Sequence, residues 1–204
     1  MATVSGLFDN YDEALAAVSR LEAFGTDRSD ISIVANNADD WYGRRPADVE
    51  TDSKAGEGAA SGAGLGAVVG GAGGLLAGLG LLAIPGIGPV VAAGWLVATG
   101  AGAVAGAAAG GAVGGLVGSM VSEGVPEDRA NVYAEGVRRG GTLVSAKVPD
   151  DRIVEAQAAL DDEVSVDLVE RERAYRGEGW SRFDPDAPAY TTEEVTKERA
   201  RYRI

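Results

Sequence analysis

The sequence predicts an α+β fold with a glycine-rich helical hairpin inserted at its middle, and three observations carry that prediction. Short apolar runs of strand length alternate with amphipathic helical runs near both ends of the chain. Between them, residues 58–122 hold no charged side chain, although the 204-residue chain has 18 basic and 31 acidic residues and a net charge of −13. Of the 31 glycines, 21 fall between Gly58 and Gly118, so their placement decides the reading.

In the first flank, Thr3 to Phe8 reads as a strand, and a helix from about Asn10 places Ala14, Leu15, Val18 and Leu21 on one face before Gly25 closes it. Ile31 to Ala35 is a second, buried strand, so residues 1–35 form a β-α-β half, followed by an acidic linker over 36–57. In the second flank, Pro126 with Glu127 and Asp128 opens a helix, where a proline and acids suit the first turn. Arg138 and Arg139 end it as compensating cations, an arrangement that needs no bound anion. Thr142 to Val148 then reads as a strand, Asp150 to Leu160 as a helix and Val164 to Val169 as a last strand, giving an α-β-α-β half over 123–170. Together the halves predict a ferredoxin-like sandwich in which the helix after Pro126 is an extra element.

The glycines of the middle stretch are spaced by four, at Gly62, Gly66, Gly70, Gly74 and Gly78 and again at Gly102, Gly106, Gly110, Gly114 and Gly118. On a helix of 3.6 residues per turn this spacing makes a slowly winding stripe along which another backbone can approach closely. Each glycine costs about 0.8–1 kcal/mol relative to alanine in a helix, so neither helix should stand alone. Pro85, Gly86, Gly88 and Pro89 separate the two lines and predict the turn of a helical hairpin spanning 58–122. Arms over 60–84 and 90–122 would be about 35 and 50 Å long, enough to cross a hydrocarbon core of about 30 Å.

Two partners suit such a hairpin. The charge-free length and paired small residues favour insertion in, or association with, membrane lipid, which would put both flanks in the cytoplasm beneath the inner membrane, since no leader precedes them. The stretch from Ala98 to Ala112, where Val104 is the one large hydrophobe, favours a protein neighbour and a soluble cytoplasmic homo-oligomer of this chain with itself.

Several classes are disfavoured. The chain has no Cys and no His, which removes thiolate and imidazole chemistry and ordinary zinc sites, and no catalytic, cofactor-binding or metal residue is assigned. Its acidic balance disfavours nucleic acid as a partner. Gly62-Ala63-Gly64-Leu65-Gly66-Ala67 fits a dinucleotide fingerprint, but no strand precedes it. The expectation is a non-enzymatic protein without cofactor. The segment 171–204 is a separate tail, in which Trp180, Phe183 and Tyr190 are costly to leave in water and predict docking on its own domain or a neighbour.

Thr3-Val4-Ser5-Gly6-Leu7-Phe8-Asp9 with Glu13-Ala14, then Asp30-Ile31-Ser32-Ile33-Val34, resembles the bacterial general stress protein family, the heat-induced stress-protein domain. The second half is similar too, in Ile84-Pro85-Gly86-Ile87-Gly88-Pro89, Gly124-Val125-Pro126-Glu127 and the run from Tyr133 to Val144. The resemblance covers about residues 2–170 and implies a stress-associated protein that touches membranes; it carries over no catalytic residue.

Overall fold

The computed structural model describes residues 1–44, 80–96, 115–161 and 165–202. Their elements are β1 (Ala2–Phe8), α1 (Tyr11–Phe24), β2 (Ile31–Asn36), β3 (Gly80–Ile84), β4 (Gly88–Ala93), α2 (Leu116–Ser122), α3 (Glu127–Arg138), β5 (Thr142–Val148), α4 (Ile153–Leu160), α5 (Leu168–Gly177) and α6 (Thr192–Tyr202). The fold is α+β, with one antiparallel sheet in the order β1-β5-β2-β4-β3.

Local chemistry sets the first unit. Asn10 caps α1 by accepting the Glu13 N–H at 2.9 Å, and the chain reverses at Gly25 into β2. β5 lies between β1 and β2 and is antiparallel to both, with Ser145 opposite Ser5 on one side and Ser32 on the other. β1 and β2 are therefore parallel to each other but separated by a strand that arrives a hundred residues later, and α1 is their crossover.

Both faces of the sheet are covered. On one, Val4, Phe8, Ile31, Ile33, Val144 and Ala146 pack with Ala14, Val18 and Leu21 of α1 and with Ala156 and Leu160 of α4. On the other, Leu7, Val34, Val90 and Leu143 pack with Leu116 and Met120 of α2 and with Ala130, Tyr133, Ala134 and Val137 of α3. That second layer is why β2 is buried at every position and reads as a continuous apolar run instead of an alternating one. The helix after Pro126, surplus to the predicted two-layer scheme, is α3 and covers this second face. Serines are tolerated beneath it because they are bonded: Ser5 and Ser145 hydroxyls meet at 2.9 Å, Ser32 Oγ donates to the Ala93 carbonyl at 2.8 Å, and Tyr133 Oη donates to the Ser5 carbonyl at 2.8 Å.

Two predicted elements are corrected. The hairpin around Pro85 is a β-hairpin: residues 80–84 and 88–93, expected as the facing ends of two helices, are strands paired from Gly80 opposite Ala92 to Ile84 opposite Gly88. Pro85 and Gly86 (φ 73) are the central residues of a tight turn closed by the Ile87 N–H on the Ile84 carbonyl at 3.0 Å, a type II arrangement that wants Pro then Gly. A proline-glycine break between apolar runs ends a helix and turns a strand equally well, and a short uncharged run does not tell the two apart. Of the last strand expected over 164–169, the described residues 165–169 keep one bridge, between Ser165 and Phe8, with the Val166 N–H on the Leu7 carbonyl at 2.9 Å. Asp167 then accepts the N–H groups of Val169 and Glu170 and starts α5, so helix capping prevails over the apolar triplet Val166, Leu168 and Val169.

Candidate functional site

Of the predicted helix-packing glycines, Gly118 lies within α2; Gly62, Gly66, Gly70, Gly74, Gly78, Gly102, Gly106, Gly110 and Gly114 lie outside the described residues. The turn that holds Pro85, Gly86, Gly88 and Pro89 meets the tail at Phe183 and the residues after it, although the two were predicted for separate roles. A Cβ on Gly86 would sit 2.7 Å from the Asp184 carbonyl oxygen and 2.8 Å from Pro185 Cα, and one on Gly88 would sit 2.8 Å from Ala189 Cβ. The chain from 183 to 189 thus lies directly against the β3–β4 turn.

Each tail aromatic has a distinct seat. Phe183 is buried in the second-face core with Ile87 and Val90, and its N–H donates to Asn131 Oδ1 of α3 at 3.1 Å. Tyr190 lies under the guanidinium groups of Arg138 and Arg139, at 5.0 and 5.7 Å from its ring centroid. Trp180 meets the ring of Tyr175 edge-on at 5.9 Å.

An ionic network binds the junction to the end of α3. Glu135, 1% exposed, accepts from Arg139 Nε at 2.7 Å and pairs with Arg138 at 3.4 Å. Arg139 also donates to Glu178 at 2.5 Å and faces Glu198 of α6 at 3.6 Å, and Arg201 pairs with both of those carboxylates. Burial opposes the charged form of Arg139, but its hydrogen bonds with Glu178 and Glu135 outweigh that and hold its pKa above the ordinary arginine value. The Arg139 hydrogen bond correspondingly holds Glu178 below the usual carboxylate range.

Two further straps close over the ends of β1 and β2. Arg171 of α5 makes a bidentate pair with Asp9 at 2.8 and 2.9 Å, and its guanidinium stacks 3.6 Å from the ring centroid of Tyr202. Arg199 of α6 donates to the Gly140 carbonyl at 2.9 Å and to Asp39 at 3.2 Å. Between these straps and the start of α1 is a cleft of about 1050 Å³ whose walls include Asp9, Tyr11, Asp39, Trp41, Arg171 and Tyr202. Its three arginines, Arg171, Arg199 and Arg201, each pair with a carboxylate of the same chain. Among the described residues no three His, Cys, Asp or Glu side chains converge on a possible metal position. The arrangement is that of a clamp: it fixes α5 and α6 across the strand ends.

The sequence reading assigned Arg138 and Arg139 to the α3 terminus alone and missed their role in this clamp. The signal was present in part, since Glu135 and Arg139 are four residues apart on a helix. Nothing local marks Glu178, Glu198 or Asp9 as distant partners. Comparison with protein-family models, curated proteins and solved structures finds no match for this chain.

Proposed function

We propose that this chain is a non-enzymatic self-associating protein, related to the bacterial general stress proteins, whose two glycine lines pack against those of neighbouring copies. The observation that carries this reading is where the lines attach. In the antiparallel β3–β4 ribbon, Gly80 lies opposite Ala92, so the start of β3 and the end of β4 belong to the same end of the ribbon. The two glycine lines flank this ribbon in sequence, the first ending just before β3 and the second beginning after β4. The split β-α-β arrangement of β1, α1 and β2 around β5, with α4 following, supports a ferredoxin-like origin for that base.

The balance between lipid and protein as the neighbour shifts toward protein. Ile87, Val90 and Leu96 are buried in the second-face core and Leu82 and Ile84 pack against it, so these large hydrophobes of the charge-free stretch are committed to the fold. What is left in 58–79 and 97–114 is mostly Gly and Ala, which gain little from lipid and much from close backbone contact. Among the described residues no helix is long and apolar enough to cross a membrane. The charge-free length still favours a second reading, association with the inner membrane.

Light scattering on the purified full chain tests the first reading: it should give an oligomer, and Gly70→Leu with Gly110→Leu should lower its mass. An unchanged mass in the double variant removes the glycine lines as the contact. Flotation with phosphatidylethanolamine/phosphatidylglycerol vesicles tests the second, which requires the protein to rise with the lipid.

A further inference from the structure

We infer that the outer edge of β3 is a second homotypic contact, at which two copies join their sheets by antiparallel pairing of Gly80–Ile84 about a two-fold axis. This extends the self-association reading with a separate surface, and the two can fail independently.

The sheet treats its two edges differently. At the β1 edge, Ser165 bridges Phe8 and the Val166 N–H bonds the Leu7 carbonyl, so part of the edge is covered. At the β3 edge nothing among the described residues pairs with the outer side of Gly80-Leu81-Leu82-Ala83-Ile84. β3 also lacks the usual protections of an edge strand: it has no charge, no proline within it and no bulge, because its register with β4 runs unbroken. Leu81 is 58% exposed and Ala83, on the same face, is exposed as well.

Charge selects the occupant. Each copy carries −13, so two copies repel wherever their acidic surfaces meet, and the contact that least opposes them lies in the charge-free stretch to which β3 belongs. A basic partner would find no carboxylate on this strand to recognise. A second β3 matches it in backbone donors and acceptors, and a two-fold axis normal to the sheet keeps Leu81 and Ala83 of both copies on one face, where each covers the other's apolar surface. The pleat restricts any pairing of three residues or more to registers that place Leu81, Leu82 or Ala83 opposite its own counterpart.

The absence of native cysteine makes this directly testable. Leu81→Cys, Leu82→Cys and Ala83→Cys are each oxidised mildly in the full-length protein, with Val154→Cys on α4, 80% exposed, as the collision control. The expected result is a covalent dimer from at least one β3 variant and monomer from the control. That cross-link should vanish when a lysine is added beside it, Leu81→Lys in the Leu82→Cys or Ala83→Cys variant and Ala83→Lys in the Leu81→Cys variant, and persist in the Gly70→Leu, Gly110→Leu background. Yields no greater than that of Val154→Cys, a cross-link that survives the added lysine, or one lost with the glycine substitutions would each overturn the proposal. If the cross-link persists while the glycine substitutions leave the oligomer mass unchanged, the β3 contact stands and the glycine lines do not.

Discussion

The guanidinium of Arg139 lies 4.1 Å from the ring centroid of Tyr175 while it hydrogen-bonds Glu135 within its own helix and Glu178 beyond the end of α5. One side chain thus joins α3 to the C-terminal segment through a stacked ring and two carboxylates. Because Glu135 is almost fully buried, removing its cation leaves a charge with reduced compensation. Arg139→Met should therefore destabilise the protein, by less than the ~3–5 kcal/mol of leaving a buried charge alone, because Arg138 still pairs with Glu135. Arg139→Lys should recover only part of this, since an ammonium neither stacks nor forks. Urea midpoints for the two variants check the order.

The same pair sets an acid limb. The Arg139 hydrogen bond lowers the pKa of Glu178 below its ordinary 4.5 in the folded chain. The stability this contributes is present above pH 4.5 and is lost as pH falls below it toward the folded value. Glu178→Gln should flatten that part of the stability profile and leave the profile near neutrality parallel to the parent's. Thermal midpoints collected from pH 3 to 7 would show it.

At the other end of the pH scale, among the described residues, Tyr133 is one of three tyrosines, with Tyr175 and Tyr190, whose pKa burial raises. Burial pushes the Tyr133 pKa up to about 12, and its hydroxyl donates to the Ser5 carbonyl beneath α3. The folded chain thus holds this proton after the unfolded chain has begun to release its own near pH 10, and the associated stability is lost as pH rises from 10 toward 12. Tyr133→Phe should cost about 0.5–1.5 kcal/mol at neutral pH, because the Ser5 carbonyl keeps a longer contact from Gln157. It should also shrink the alkaline limb, read from denaturant midpoints between pH 9 and 12.

The parts of this molecule legible in its sequence are those governed by local rules. The helix start near Asn10, Gly25 as a stop and Pro126 before α3 all act within a few residues of themselves. The β-hairpin was not legible, because the Pro85-Gly86 turn suits both conformations and the deciding factor is the pairing of β4 with β2, more than fifty residues earlier in the chain. The clamp was illegible for a similar reason. Asp9 and Arg171 sit 162 positions apart, and neither carries a local sign that the other is its partner. The tail aromatics are visible as costly exposures, but the seat of Phe183 on the Gly86 turn depends on contacts between two segments nearly a hundred residues apart.

That seat gives a last prediction. Gly86 and Gly124 both have positive φ, at 73° and 90°, so alanine is strained at either, by about 1–2 kcal/mol. They differ in surroundings: among the described residues nothing lies within 4 Å of a Cβ on Gly124, whereas one on Gly86 meets the Asp184 carbonyl at 2.7 Å and Phe183 Cζ at 3.0 Å. Gly124→Ala should therefore lose stability uniformly, with the tail still docked. Gly86→Ala should lose more, because the added methyl also displaces the tail backbone and lifts Phe183 from the second-face core. Limited proteolysis separates the two effects, since only Gly86→Ala should speed cleavage within residues 180–190. Equal cleavage in the two variants would show that the tail does not depend on the turn for its position.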